Sequence, residues 1–156
     1  MKALLVTLLF IATCHAQEHN FVISNKAVVW ENVFISNEAN VPLLLKRHPR
    51  LSISSAEGKI YKGIGSLIRN TCKGSSAYTG NEFSFNFEVQ VSSGKYRVSV
   101  YNIRYNLPNN QDQNLENYFI ENNVLKDDPQ SKLDIQCLNN YFNRIFSSPQ
   151  VFKNKQ

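Results

Sequence analysis

The sequence predicts an α+β fold of the order β-α-β(4)-α, in which a five-stranded antiparallel sheet carries its helices on one face. Apolar and polar residues alternate over residues 83–91, which is the period of a half-buried strand. A turn at residues 93–94 leads into a second alternating run over residues 96–100. Later, apolar residues recur at helical spacing over residues 133–145 and form a stripe wide enough to cover one face of the sheet.

This central hairpin sets the register of the sheet. With a two-residue loop at residues 93–94, apolar residues face each other on one side: Val91 and Tyr96, Val89 and Val98, Phe87 and Val100. Polar residues pair on the other side: Glu88 with Ser99, and Gln90 with Arg97. A slip of one residue would turn the apolar set toward water, at a loss of about 1.5–3 kcal/mol for each large side chain. The sequence therefore specifies this register strongly.

The chain before the hairpin begins with a weak pattern. Residues 18–25 are expected to be a loose lead-in. The β-branched and aromatic residues 27–35 predict the first strand, with Trp30 as an anchor in the core or on the sheet face.

A short helix is predicted after the first strand. Ser36, Asn37 and Glu38 offer capping groups, Pro42 fits the first turn, and Pro49 ends the helix. His48, just before Pro49, is interpreted as a cation at the helix end rather than as a catalytic base.

Two irregularities are predicted in the strands that follow this helix. Residues 51–54 and 59–68 predict two strands, and the glycines Gly63 and Gly65 inside the second indicate a bulge or a close backbone crossing. After residue 100 the apolar phase shifts, which predicts a bulge near Asn102 or a strand buried on both faces.

The C-terminal third predicts a linker and two helices. Residues 107–113 have the composition of a linker, and residues 115–125 predict a first helix. Asp128 is the expected N-cap of the second helix and Pro129 its first residue. The expected organisation is a signal peptide (1–16), an α+β domain (17–106), and a helical segment (107–156) that packs on the sheet and frays from Ser147.

The first sixteen residues predict export. Met1-Lys2 is followed by a short apolar run, and Cys14-His15-Ala16 offers small residues for cleavage after Ala16. The expected location is therefore periplasmic or secreted. The alternative is lipidation at Cys14. The apolar run is too short to span a membrane, and no other segment qualifies.

Export bears on the cysteines and on charge. Cys72 and Cys137 remain in the mature chain, where they form either one disulfide or two buried free thiols. The formal net charge is +5 and becomes +4 when Lys2 leaves with the signal. Because the cations are scattered over both halves, a solvated surface is expected rather than a site for a polyanion.

Two segments resemble a known family. Glu57-Gly58-Lys59-Ile60 with Gly63 and Gly65, followed by the turn Ser93-Gly94-Lys95-Tyr96-Arg97, is similar to the domain of unknown function family 4468. The resemblance covers residues 27–105 and implies a TATA-binding-protein-like (TBP-like) fold in an exported bacterial protein. Ser93 stands where an acidic residue is expected in relatives, and the first helix carries Pro42. Since the family's activity is unknown, the resemblance implies no catalytic residue.

No arrangement of residues in the sequence predicts catalysis. There is no GxSxG elbow and no HExxH motif. Gly63 and Gly65 form only half of a dinucleotide fingerprint, without the third glycine or the following helix. With no CxxC motif and only His19 and His48 left in the mature chain, no metal site is predicted. The sequence thus predicts no catalytic residue, cofactor or metal.

The function predicted first is a non-catalytic, envelope-associated binding module whose polar sheet face or loop 70–81 contacts an envelope protein or a glycan. The candidate binding face comprises Ser84, Asn86, Glu88, Gln90, Arg97 and Ser99. A nucleic-acid partner is not expected, because this face has one acid, one base and no aromatic wedge, and because the protein is exported.

Two alternatives belong to other classes of function. One is a hydrolase that uses Glu57 and Glu88 as a carboxylate pair. The other is a carrier of a small apolar ligand between the sheet and the C-terminal helices. The sequence does not predict the oligomeric state.

Overall fold

The structure, a computed structural model, describes residues 19–36, 41–108 and 111–147. The predicted signal peptide, the predicted caps Asn37 and Glu38, and the tail after Ser147 lie outside these residues. The elements in chain order are β1 (Phe21–Ser24), β2 (Ala27–Ile35), α1 (Val41–Lys46), β3 (Leu51–Glu57), β4 (Ile60–Ile68), β5 (Glu82–Ser92), β6 (Lys95–Leu107), β7 (Gln111–Asn114), α2 (Leu115–Phe119), β8 (Ile120–Glu121), β9 (Val124–Leu125) and α3 (Pro129–Phe146).

One antiparallel sheet organises these elements. Its strands lie in the order β1-β2-β6-β5-β4-β3, and β7 pairs with β6. β8 and β9 form a separate hairpin. The α+β class is confirmed. The predicted count of five strands is wrong, because the described residues form a seven-stranded sheet to which β1 and β7 also belong.

The predicted register of the central hairpin is confirmed. Val91 pairs with Tyr96, Val89 with Val98 and Phe87 with Val100, and the polar pairs fall on the other side. Phe87, Val89, Val98 and Val100 are fully buried. The apolar side of β5 and β6 is therefore the inner face of the sheet, and the other side is its outer face.

Two bulges flank β5 at neighbouring residues. The pairing of β4 with β5 shifts between Gly65 and Ile68, where Leu67 has a φ of 53°. The pairing of β5 with β6 shifts beside Asn102, whose φ is also 53°. The bulge predicted near Asn102 is confirmed, whereas the one at Leu67 was not predicted. Bulges bend a strand and increase its twist, so this end of the sheet departs from regular pleating.

The two glycines of β4 make room for aromatic rings of β5. A Cβ atom at Gly63 would overlap the Ser52 carbonyl oxygen and lie 2.8 Å from Cε1 of Phe87. One at Gly65 would lie 2.8 Å from Cε2 of Phe85. The predicted close approach at these glycines is confirmed.

Helix α3 covers the inner face of the sheet. Its Phe142 ring lies with its centroid 5.4 Å from Trp30 and 5.1 Å from Phe85, and Phe146 lies 5.5 Å from Phe87. The Trp30 side chain is fully buried, and its Nε1–H donates to Oδ1 of Asn139 at 3.0 Å. Trp30 is therefore a core anchor, as predicted.

The predicted start of α3 is also confirmed, and so is Pro42 in the first turn of α1. Asp128 caps α3 by accepting a hydrogen bond from the Ser131 N–H at 2.9 Å, and Pro129 is the first helical residue. Pro42 is the second residue of α1.

The expectation of a loose lead-in before residue 27 is wrong. β1 pairs with β2 through a turn at Asn25 and Lys26, whose φ values are 50° and 65°. Phe21 is fully buried and packs against Phe142. The turn needs positive φ at both residues, a geometry for which Asn-Gly is the usual signal. Asn25-Lys26 carries only half of that signal, which is why the hairpin was missed.

Two predictions in the C-terminal third are wrong in part. Residues 111–113, expected as linker, belong to β7, which pairs with the end of β6. The helix expected over residues 115–125 ends at Phe119, and β8 and β9 follow around a turn at Asn122 and Asn123 with positive φ. Leu115 and Phe119 are buried and lie at helical spacing, but a helix of one turn and a helix of three turns would both show this pattern.

We expect Gly63→Ala to lower the free energy of unfolding by about 1–3 kcal/mol or more, because the added methyl group would overlap a backbone oxygen as well as a ring. Gly80→Ala is the matched control, since its Cβ would meet nothing closer than 3.5 Å. Urea unfolding monitored by Trp30 fluorescence measures both variants. Equal stability of the two variants would contradict the packing described here.

Candidate functional site

The six residues of the candidate binding face all lie on the outer face of the sheet. Several contact one another or a neighbouring strand. Glu88 forms an ion pair with Lys62 at 3.5 Å and accepts a hydrogen bond from Gln90 at 2.8 Å. Ser99 Oγ donates to Glu31 at 3.2 Å. Their polar groups are therefore partly occupied by lateral contacts within the sheet.

The outer face is less hydrophilic than the sequence suggested. Val33 pairs with Arg97, Ile60 with Gln90, and Ile64 with Asn86. These three aliphatic side chains are 45 %, 38 % and 46 % exposed. Each stands beside a polar side chain, so they form no contiguous apolar patch of the kind that marks a protein interface.

Four adjoining surface hollows form a groove at the bulged end of the sheet. The first, of 310 Å³, lies between α1 and the end of α3, and shares His48 with the second, of 470 Å³. The second shares Arg69 and Glu82 with the third, of 310 Å³. The third shares Glu82 and Asn106 with the fourth, of 200 Å³, on the outer face. We call this series of hollows the groove.

One end of the groove is rich in cations. Arg47 and Arg144 line the first hollow, and Arg50 and Arg69 line the second. Glu82 is the acid among the residues that line these two hollows, and its carboxylate lies 4.0 Å from Nε of Arg69. We call Arg47, His48, Arg50, Arg69 and Arg144 the cationic end.

His48 stands between the two hollows of the cationic end. Its Nδ1 accepts a hydrogen bond from the Arg50 N–H at 3.3 Å, so the proton of the neutral ring resides on Nε2. Partial burial lowers the pKa of His48, and the charges of Arg144 and Arg50 lower it further. Both effects favour the neutral form of the ring, whereas the interpretation of His48 as a cation at the helix end requires the charged form.

The other end of the groove is rich in hydrogen-bonding groups. Glu82 pairs with Asn106, and Asn106 with Asp112, so the three side chains form one row across β5, β6 and β7. Ser84 and Arg104 form the next row, and all five residues line the fourth hollow. We call this part the polar end. Ser84 is the one member of the candidate binding face that lines the groove as described.

Loop 70–81, proposed from sequence as a contact element, is attached to α3. The structure joins Cys72 to Cys137 in a disulfide with a Cα–Cα distance of 6.0 Å. The fully buried Asp134 accepts hydrogen bonds from the Ser76 N–H at 2.8 Å and from Thr79 Oγ1 at 3.0 Å. The loop therefore serves as a fixed wall that brings Gly80 and Asn81 to the third hollow.

Sequence reasoning missed most of the groove. In the cationic end, Arg47, His48 and Arg50 lie in the turn after α1, Arg69 follows β4 and Arg144 lies in the last turn of α3, and no local motif links these three parts of the chain. The available signals were an excess of basic over acidic residues and the basic run over residues 46–50, which sequence reasoning interpreted as a helix end on an ordinary surface.

The two alternative functions find little support in the described residues. Glu57 lies on β3 and Glu88 on β5, with β4 between them, and neither lines any of the four hollows. The interface of the sheet and α3 is filled by the rings of Trp30, Phe85 and Phe142, where a carried apolar ligand would have to lie.

The described ranges contain neither a cluster of metal-ligating side chains nor a helix that could cross a membrane. Within residues 19–36, 41–108 and 111–147, no three His, Cys, Asp or Glu side chains are grouped to hold a metal ion. The helices in that part of the chain are too short or too polar to cross a membrane.

Two solved structures are similar to this chain. A TBP-like protein from Parabacteroides distasonis superposes with a TM-score of 0.55 at 11% identity, over 86% of this chain and 98% of its own. A DUF4468 family protein from Bacteroides ovatus has a TM-score of 0.48 at 16% identity, over 83% and 92%. No family model matches the sequence, nor does any curated protein. The first superposition confirms the TBP-like fold.

Two buried tyrosine hydroxyls give a test of the packing behind the groove. The Tyr105 hydroxyl has no hydrogen-bond partner among the described residues, and burial raises its pKa well above the usual value. The Tyr96 hydroxyl donates to the Phe146 carbonyl at 2.5 Å. We expect Tyr105→Phe to raise the free energy of unfolding by about 1 kcal/mol or more, and Tyr96→Phe to lower it by about 0.5–1.5 kcal/mol. Denaturant unfolding of both variants checks the opposite signs, and a loss of stability in Tyr105→Phe would contradict them.

Proposed function

We propose that this protein is an exported, non-catalytic binding module that holds a glycan in the groove. The observation that carries the proposal is the row Glu82, Asn106 and Asp112, which borders a hollow at the end of a longer series of hollows. Carboxylates accept hydrogen bonds and the amide both donates and accepts, so together they match sugar hydroxyls, which do both.

The groove suits an extended ligand better than a compact one. Its hollows share lining residues from Leu44 and Arg144 at one end to Asp112 at the other. The exposed Leu67 stands among the polar side chains of the second and fourth hollows, which favours a ligand with both apolar C–H faces and hydroxyl groups. A chain of sugar rings has both.

The flat outer face is the weaker candidate for the same function. Its Lys62 and Glu88 are engaged with each other, and its exposed aliphatic residues are separated by polar ones. A protein partner would need a contiguous apolar centre on this face.

Export is supported by the sequence and by the cysteines. Residues 1–16 have the charged start, apolar run and small residues of a signal peptide. A disulfide between Cys72 and Cys137 is suited to an oxidising compartment. We expect N-terminal sequencing of the mature protein to begin at Gln17, and a protein that retains residues 1–16 would contradict cleavage.

A hydrolase is a second candidate on one observation. Glu82 and Asp112 line the same hollow with one strand between them, which places their Cα atoms about 10 Å apart. Inverting glycosidases hold their carboxylate groups roughly 6.5–9.5 Å apart, a separation that two side chains on Cα atoms at this spacing can reach. Release of reducing ends from a bound oligosaccharide, abolished by Glu82→Gln or by Asp112→Asn, would identify an enzyme instead of a binding module.

Binding is tested with a panel of soluble tetrasaccharides, neutral hexoses and hexuronates, followed by ¹H–¹⁵N NMR and calorimetry. We expect shifts at the groove, and we expect Asn106→Ala to weaken binding about tenfold, as the loss of one or two hydrogen bonds to the ligand would do. Gln90→Ala lies on the outer face outside the groove and should change affinity less than twofold. Shifts confined to the surroundings of Gln90 would assign binding to the outer face, and no binding at all would overturn the proposal.

A further inference from the structure

Positive charge is concentrated at one end of the groove, and the binding of a neutral glycan would not require this. Four arginines surround the first two hollows, with one glutamate opposite them. Among the described residues, Arg47, Arg50 and Arg144 form no ion pair. Such a surplus of cations around connected hollows favours an anionic occupant.

Helix ends account for part of this surplus but not for all of it. Arg47 directly follows α1, and Arg144 lies in the last turn of α3, so both interact favourably with a helix C-terminus. Arg50 follows the Pro49 turn and Arg69 follows β4. Neither belongs to a helix, yet both face the second hollow.

The aromatic neighbours hold parts of the cationic end in place. The guanidinium carbon of Arg144 lies 5.4 Å from the centre of the Tyr141 ring, and His48 meets the same ring edge-on at 6.4 Å. Tyr141 itself is buried. A cation stacked on a buried ring loses less conformational freedom when it binds a ligand, and its planar fork matches carboxylate, sulfate and phosphate oxygens.

We propose that the cationic end is a subsite for two acidic groups of the ligand, one on each side of His48, and that the protein therefore selects an acidic glycan. This inference rests on the proposed function, since it names the ligand class for the same groove. Arg47 and Arg144 bind one acidic group, Arg50 and Arg69 bind the other, and Nε2–H of His48 donates to the ligand between them.

The position of His48 gives the subsite a pH dependence. The groups that face it are Arg47 after α1, Arg50 in the turn, Arg69 after β4, Glu82 on β5, and Tyr141 and Arg144 on α3. Partial burial, and after it the charges of Arg144 and Arg50, lower the pKa of the imidazole in the free protein. A bound anion offsets their charge and raises that pKa, so protonation and anion binding favour each other. Anion affinity is expected to increase as the pH falls through the range in which His48 becomes protonated.

The subsite is tested directly with ethane-1,2-disulfonate, a sugar-free dianion that stays ionised at every pH used. We expect Arg50→Gln and Arg144→Gln each to weaken its binding about tenfold in NMR titrations at low salt. Lys95→Gln, which removes the same charge at the exposed hairpin turn, is the matched control and should weaken binding less than twofold. Equal losses in all three variants would show diffuse attraction to a basic protein and would overturn the subsite.

His48 provides a second readout. We expect its imidazole signals to titrate below pH 6.5 in the free protein and at a higher pH when the disulfonate is bound. His48→Gln should flatten the pH dependence, so that most of the increase in affinity between pH 7.5 and pH 5.5 is lost. An unchanged His48 titration in the presence of saturating disulfonate would contradict a role for this residue.

The glycan panel separates this inference from the proposed function. Hexuronate tetramers that bind more than tenfold tighter than neutral hexose tetramers support both. Equal binding of the two leaves the glycan function standing and overturns the acidic subsite. Disulfonate binding without any glycan binding supports the anion site and overturns the glycan function. Tight binding to anionic lipid vesicles without hexuronate binding would assign the cations to a membrane surface instead.

Discussion

The packing of α3 against the aromatic inner face of the sheet is the interaction on which the other features depend. Phe142 contacts rings of both β2 and β5, and Phe146 contacts Trp30 and Phe87. Large aromatic side chains contribute most of the apolar area in such a core. Their size also explains why β4 has glycine at Gly63 and Gly65. The rings of Phe87 and Phe85 occupy the space that a Cβ atom would need. The packing of these aromatic rings thus constrains which residues can stand at the contacting positions of β2, β4, β5 and α3.

The same packing accounts for the position of the groove. α3 runs along the inner face, and its last turn, with Arg144, lies near the turn after α1, so the first hollow forms where the two helices end. The bulges at Leu67 and Asn102 interrupt the regular pairing of β5 with β4 and with β6 near Ser84. Side chains of the groove thereby come from both faces of one sheet, with His48 on the helix-covered side and Asp112 at the outer face. Loop 70–81, fixed to α3 by the disulfide and by Asp134, closes the side between them.

Local sequence patterns predicted what depends on neighbours in the chain. The alternation over β5 and β6 specified their pairing, and Asp128 with Pro129 specified the start of α3, because these signals act within a few residues. β1, β7 and the β8–β9 hairpin were missed, since each is short and is stabilised by pairing with a partner strand rather than by its own composition. The groove was missed because it, too, depends on residues that are distant from one another in the chain. Arg50, Arg69 and Arg144 lie far apart in the chain and meet only after the sheet and α3 have packed.

The distribution of charge in the folded chain argues for a ligand rather than for a generally basic surface. A formal net charge of +5 spread over the molecule would give weak, non-specific attraction to any polyanion. On the outer face, however, Lys62 is paired with Glu88, and Arg97 stands beside Val33 and Gln90. Arg47, Arg50 and Arg144, which form no ion pair among the described residues, line instead the two hollows that share His48. Mutual repulsion among these arginines is unfavourable in the free protein, and a dianion between them would relieve it. The cost of holding like charges together is therefore consistent with a site whose stable state contains an anionic ligand.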